Sequence, residues 1–549
     1  MASFKMKAGA ALVASAGLSA AVAVEPGWTT AALAAGTSSA VWWRYGRVGT
    51  RAAIDRWDRN AARHAGTASW WDLTRTSSAW AMRRKARVLR PSLAGAPVWR
   101  VWQTPITSVA VPLCTVGRRT VYTSVEESTL RVGIPGTGKT AELACRVLDA
   151  PGGAVVTSTA TDLYDLTALV RTRSGPVTVF NPGGLGGLAS TLRWSPLSGC
   201  EQPETAARRA ADLVGPQTPG SEGERWASNG RRILAVLLHA AALGGYRMAD
   251  VAGWVANPDA ATPFVLAALK DSPQPEAMRT AARQMLGTNA RTRDGVMLAI
   301  TPAVAWTTLP TAAECGDVDP DDSWEITDLT DRAGTLYLLG DEDGTVGPLL
   351  SALVAEIAHQ ARRTAAARPG GRLDPALLLV LDEVALTCRT PLPQWMAELR
   401  KRNIGIHAAC QGLAQLRQVW GADGAAMILN CAAAVLVYGG CKDAADLDLF
   451  ARLAGDRDET VQTHDGDGRL SATSTRRVPV IGVPMLAGLP NFHAMLIRRG
   501  MPVALARTPI AWKRRAVRRA GRVARVVHEH PADQRATGAQ PAATAPAAA

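Results

Sequence analysis

The residues best suited to chemistry in this sequence stand together between Gly133 and Thr140. Gly133-Ile134-Pro135-Gly136-Thr137-Gly138-Lys139-Thr140 has the spacing G-x-x-x-x-G-K-[ST]. Glycines at such positions let backbone N–H groups wrap a polyphosphate at a helix N-terminus. Lys139 is then set to reach the β- and γ-phosphates and Thr140 to ligate Mg2+. The plain alternative is a glycine-rich turn. Against it, Val121 to Val125 and Ser128 to Val132 read as a hairpin feeding a strand into the loop, and Ala141 to Leu148 reads as a helix leaving it.

A phosphate site of this kind needs a second half, an apolar strand ending in carboxylates. Leu377 to Leu381 followed by Asp382-Glu383 supplies it. The unbroken apolar run is the pattern of a strand buried on both faces, and its C-terminal end is where α/β sheets place ligands. Asp382 is expected to hold Mg2+ through water and Glu383 to polarise the attacking water. Further on, Ile404 to Cys410 reads as the neighbouring strand, and Gln411 at its tip is a candidate γ-phosphate sensor. Arg402, or Arg400, ahead of that strand is a candidate arginine finger for a neighbouring subunit's nucleotide. An isolated Gln or surface Arg also has a plain reading as a polar residue. The cofactors this set implies are ATP and Mg2+.

Short apolar strands between helical stretches recur at Ala154 to Thr157, Val177 to Phe180, Thr335 to Leu339 and Ala434 to Tyr438. That alternation predicts an α/β fold with a mostly parallel sheet. From Glu204 to Ala305 no strand signal occurs, which predicts an all-helical insertion. The chain has 549 residues, 47% hydrophobic and 20% charged, a globular composition that excludes wholesale disorder and a many-span transporter. Its 8 Cys form no C-x-x-C pair, so neither a zinc ribbon nor a disulfide scaffold is indicated. The net charge of +14 points to an anionic partner, nucleic acid or lipid headgroups, without choosing between them.

Two uncharged runs, Ala8 to Val24 and Trp28 to Trp43, are separated by Glu25-Pro26-Gly27. Each is shorter than the roughly 20 residues of a spanning helix. Lys5 and Lys7 on one side and Arg44, Arg47 and Arg51 on the other fit a hairpin with both ends cytoplasmic. A cleaved signal peptide ending near Ala21-Val22-Ala23 is the competitor, but it would export an ATP-dependent enzyme to where ATP is absent. Residues 44–115 are rich in Trp and Arg, suited to anionic lipid, to a nucleic-acid backbone, or to nothing beyond a solvated face. Near the end, Trp512 to Arg525 reads as a basic helix, followed by an Ala/Pro-rich tail expected to be disordered.

Several of these segments together resemble the type IV coupling protein family of conjugation and type IV secretion, the TraG/TraD type within the FtsK/HerA-like P-loop superfamily. The resemblance is carried by Ser128 to Thr140, Val155 to Thr159, Phe180-Asn181-Pro182 and Arg193 to Leu197. It continues through Leu378 to Val384, Gly405 to Leu416 and Leu489 to Ile497. Ala160 departs from the pattern, standing where many relatives place Lys. The resemblance implies a RecA-like P-loop ATPase with an inserted all-α domain, an N-terminal membrane-anchor segment and hexamer formation. It also implies ATP-driven movement of a relaxase-bound DNA single strand, read without sequence preference, into a secretion channel. Relaxase or relaxosome proteins, channel components and the membrane are the partners it implies, with the ATPase domain on the cytoplasmic side of the inner or plasma membrane. The expected division is an anchor hairpin at 1–43, a basic linker at 44–115, nucleotide-binding parts at 116–202 and 325–510, the helical insertion at 203–324 and a tail at 511–549. A motor for double-stranded DNA or exported protein, and a non-hydrolysing docking receptor, are the alternatives.

Overall fold

The computed structural model describes residues 66–217, 220–320, 324, 326–341, 343–464 and 470–529. The expected anchor hairpin at 1–43, the first part of the linker at 44–65 and the Ala/Pro-rich tail lie outside the described residues. Among the described residues no single helix is long and apolar enough to cross a membrane.

The frame is an 11-stranded sheet in the order β2-β1-β13-β12-β9-β3-β8-β7-β4-β6-β5. Its strands are β1 (Ala110–Val116), β2 (Arg119–Ser124), β3 (Thr129–Val132), β4 (Ala154–Ser158), β5 (Val177–Phe180), β6 (Thr335–Leu339), β7 (Leu377–Leu381), β8 (Ile404–Cys410) and β9 (Ala434–Tyr438). A separate hairpin, β10 (Asp456–His464) with β11 (Leu470–Pro479), stands apart from it, and β12 (His493–Arg498) and β13 (Ala504–Arg507) return to it. From β9 to β5 all neighbours run parallel, whereas β12, β13, β1 and β2 extend the edge antiparallel. Every residue of β3, β4, β6, β7, β8 and β9 is buried, as expected of parallel strands covered on both faces.

Two expectations need correction. The hairpin ahead of the phosphate loop is β1 with β2; β3 is not part of it but crosses to the middle of the sheet between β8 and β9. The sheet therefore begins at Ala110, inside the stretch read as linker. Short helices before it, among them Ala79–Arg83 and Ala86–Leu89, bury Met82, Ala86 and Leu89 in the same core as β1 and the helix Lys139–Leu148.

The helical insertion leaves the sheet after β5 and returns at β6, spanning helices from Pro203–Val214 to Pro310–Gly316. Proline stands in the first turn of the helices starting at Pro203, Pro258, Pro275 and Pro310, where its missing N–H costs nothing. Its central helix, Glu222–Leu243, is capped by the Ser221 hydroxyl and buries Ile233, Leu234, Val236, Leu237 and Leu238. The joint to the sheet is ionic: Arg208 and Arg209 donate to Glu356 at 3.1 and 2.8 Å, tying the first inserted helix to the helix Gly347–Ala367.

Candidate nucleotide site

The loop from Gly133 to Gly138 leaves β3 and enters the helix Lys139–Leu148. Its glycines are required by two different constraints. Gly138 has φ +109, and a Cβ there would also stand 2.6 Å from the Phe492 ring; at Gly133 a Cβ would come 2.6 Å from that of Tyr438. The Lys139 ammonium folds back across the loop, donating to the carbonyl of Gly133 and, at 3.1 Å, to that of Ile134. Burial pulls its pKa below the usual lysine value, against the opposing pull of Asp382 and Glu383.

The carboxylates arrive as the strand order dictates. β8 lies between β3 and β7, so the phosphate loop, Gln411 and Asp382-Glu383 sit side by side on the C-terminal edge of three adjacent parallel strands. The Thr140 hydroxyl donates to Asp382 Oδ2 at 3.1 Å, and the Glu383 backbone N–H to Asp382 Oδ1 at 3.1 Å. Burial raises the Asp382 carboxyl to about 6, a shift the Thr140 hydrogen bond and Lys139 partly offset and Glu383 reinforces. Among the described residues no three His, Cys, Asp or Glu converge as a metal cage. One hydroxyl and one carboxylate in contact suit Mg2+, which keeps waters and takes its remaining ligands from phosphate oxygens. The residues present therefore fit Mg2+ with a bound nucleoside polyphosphate.

Glu383 is held from two sides. Gln411 Nε2 donates to its Oε1 at 3.1 Å and Thr159 Oγ1 to its Oε2 at 3.3 Å. Its backbone is left-handed, φ 45 and ψ 49. A non-glycine residue in that region costs on the order of 1–3 kcal/mol and persists where the surroundings impose it. Phe492, also left-handed at φ 64, is the other such residue at this site, its N–H donating to the Thr137 carbonyl at 2.9 Å. The cavity formed here, about 350 Å3, is lined by Pro135, Gly136 and Gly138 of the loop, by Lys139 to Ala141 of the helix, by Ser158 to Ala160, by Asp382 and Glu383, and by Phe492 and Trp512.

The structure thus brings together the loop residues, Lys139, Thr140, Asp382, Glu383 and Gln411. It does not bring Arg402 to them. Arg402 precedes β8 and so lies at the opposite end of that strand from Gln411, donating to the Gly371 carbonyl at 3.1 Å; Arg400 pairs with Glu126. Neither contributes to this chain's own site. Three residues at the site were not singled out from sequence. Thr159 follows the buried β4, and only the strand order reveals that it meets Glu383. Phe492 and Trp512 form an edge-to-face pair with centroids 5.8 Å apart. Trp512 is brought here by Arg514, which grips Asp149 at the end of the phosphate-loop helix through two bonds of 2.5 and 2.7 Å. In sequence that Arg is one of a basic run.

No curated protein matches the chain in sequence. Residues 376–491 match the family described as the TraM recognition site of TraD and TraG. That match begins at β7 and takes in Asp382, Glu383 and Gln411. Among solved structures, the unbound bacterial conjugative coupling protein TrwB superposes with a TM-score of 0.53 over 80% of this chain and 94% of that one, at 20% identity. The fold is that of the conjugative coupling proteins. TrwB in complex with ADP and Mg2+ matches with a TM-score of 0.52 at 20% identity, covering 76% of this chain and 92% of TrwB. The coupling-protein fold and the matched TraG/TraD segment bear out the resemblance read from the sequence to the type IV coupling protein family.

Proposed function

We propose that this protein is a membrane-anchored ATPase that uses ATP hydrolysis to move DNA, a relaxase-bound single strand, into a conjugative or type IV secretion channel. The observation that carries the reading is the double hold on Glu383 beside the Thr140–Asp382 pair. A site that only binds nucleotide has no use for a carboxylate aligned in this way. The loop N–H groups and Lys139 would take the β- and γ-phosphates. Mg2+, held by Thr140 and through water by Asp382, would supply the charge that neutralises developing negative charge on phosphate oxygens. Glu383, oriented by Gln411 and Thr159, would accept a proton from the attacking water.

The matched TraG/TraD segment supports a relaxosome protein as partner, and the TrwB complex with ADP and Mg2+ supports the same ligands here. Assembly into a homo-oligomer, a hexamer by family analogy, and a place at the inner or plasma membrane with the ATPase domain cytoplasmic belong to the same proposal. The test is ATP hydrolysis by the purified protein with and without single-stranded DNA, beside its Lys139→Ala and Glu383→Gln variants. DNA-stimulated turnover lost in both variants is expected. Turnover in the wild type no greater than in Glu383→Gln would leave a nucleotide-dependent receptor instead, and hydrolysis indifferent to any DNA would point to a protein-export motor.

A further inference from the structure

At the N-terminal ends of β3 and β9, opposite the nucleotide site, opens a cavity of about 730 Å3. Arg75, Arg84, Lys85, Arg400, Arg498 and Arg499 line it, against Glu127 as its carboxylate. Arg498, the last residue of β12, has a side chain only 4% exposed. Its Nη2 donates to Glu127 at 3.0 Å, while Nε and Nη1 are buried without a hydrogen-bond partner. Two orphaned guanidinium donors at such depth carry a desolvation cost that an anionic oxygen would remove.

The helices Trp70–Ser77 and Ala79–Arg83, which form one wall of this cavity, and the helices Ala86–Leu89 and Val98–Gln103 that follow them carry an unusual surface. Trp71 is 72% exposed and Trp99 62%, with Trp70, Trp80 and Trp102 more than two-fifths exposed and Val88 and Val98 about as open as Trp99. Arginines are interleaved with them: Arg84 lies 5.0 Å over the Trp80 ring and Arg83 6.0 Å over Trp102. Exposed indoles beside cations suit either stacked bases or a bilayer interface. The exposed valines decide between the two, because they have no face to offer a base but gain from contact with acyl chains. In sequence, the uncharged runs Ala8 to Val24 and Trp28 to Trp43 lead into these same helices.

We infer that this end of the domain docks on the membrane surface and that its cationic cavity binds the phosphate of an anionic phospholipid headgroup, with Arg498 as its floor. The inference deepens the membrane location proposed above and makes the lipid contact a property of the ATPase domain itself. The test uses the full chain, so that residues 1–65 are common to all samples. The wild type and a triple variant, Arg75→Gln with Arg84→Gln and Arg499→Gln, are partitioned onto vesicles of phosphatidylcholine with and without phosphatidylglycerol. These three side chains are exposed, so folding is expected to be intact, with hydrolysis as the control. At about a fivefold affinity change per cation at an anionic surface, the variant should lose roughly a hundredfold in binding to the anionic vesicles. Its binding to neutral vesicles should not change. Equal binding of both proteins to the anionic vesicles overturns the inference. A variant that keeps vesicle binding but loses affinity for a single-stranded oligonucleotide assigns the cavity to nucleic acid and overturns it as well. Either failure with DNA-stimulated hydrolysis retained leaves the ATPase reading standing.

Discussion

Trp512 shows how a single side chain can serve the nucleotide site without belonging to any motif. Its indole is 46% exposed at the cavity rim and braced edge-on by Phe492, a platform for a purine beside the phosphate loop. Stacking of a base on an aromatic ring is worth about 1–3 kcal/mol. Trp512→Ala should therefore weaken ATP affinity about tenfold or more while leaving turnover at saturation near the wild-type value, as fluorescent-nucleotide titration and steady-state rates will show. The partners of Glu383 should behave in the opposite way. Gln411→Leu and Thr159→Val each remove one of the two bonds that aim the carboxylate, so hydrolysis is expected to fall about tenfold to a hundredfold with nucleotide affinity held. If binding fell and rate did not, Glu383 would not be the group these residues position. Lys139, Thr140, Asp382 and Glu383 were legible in sequence because phosphate chemistry fixes both their types and their neighbours. Thr159, Phe492 and Trp512 were not, since their roles arise from strand order and from one Arg514–Asp149 clamp.

Beneath the phosphate loop, the helix Lys139–Leu148 is joined to β3 by a buried ionic triad. Glu142 pairs with Arg131 at 2.5 Å and with Arg146 at 2.7 Å, all three side chains fully buried. Burial alone would raise the Glu142 carboxyl, but the two guanidinium charges outweigh it and hold it below the usual carboxylate range. Glu142→Gln leaves two buried cations uncompensated and should cost about 3–5 kcal/mol in denaturant unfolding. Asp212, in the first inserted helix, is the contrary case. Burial pushes it up to about 7 despite Arg208, Arg209 and Arg362, with Glu356 adding to the rise, and its Oδ2 has no partner. A folded value above the unfolded one means that the native state holds the extra proton between about pH 4 and about 7, so stability falls as pH rises through that window. Asp212→Asn should thus be more stable than the wild type at pH 8 and no different at pH 4, in thermal unfolding at both. Parallel strands such as β7 were readable as elements because burial on both faces makes them continuously apolar. The antiparallel edge was legible only in part: Val121 to Val125 marked β2 but not its pairing with β1, and β13 is four residues long, too short for a distinctive period.

At the scale of the whole molecule the two ends of the sheet have opposite charge economies. The cavity at the N-terminal ends of the strands gathers six cations, whereas the nucleotide cavity, among its lining residues, has Lys139 against Asp162, Asp382 and Glu383. A triphosphate with its magnesium still carries net negative charge into the second of these, and it meets a single protein cation. Phosphoryl transfer gains about 10³–10⁵ in rate from an arginine brought to the transition state, often from another chain. Trp512 and the loop leave the cavity open toward solvent, and Arg402 and Arg400 stand at the far end of β8, where within one chain they can do nothing for it. A missing cation and a displaced arginine are reconciled if Arg402, which does not line the cationic cavity, reaches the next chain's nucleotide. Specific hydrolytic activity should then rise with protein concentration in step with assembly measured by sedimentation. Mixing Lys139→Ala with Arg402→Ala chains, each inactive alone, should restore part of the activity, because some interfaces then pair an intact loop with an intact arginine. Activity per chain that stays constant from monomer to oligomer, with no recovery on mixing, would leave Arg402 as the cap of the Gly371 carbonyl and place the second cation elsewhere.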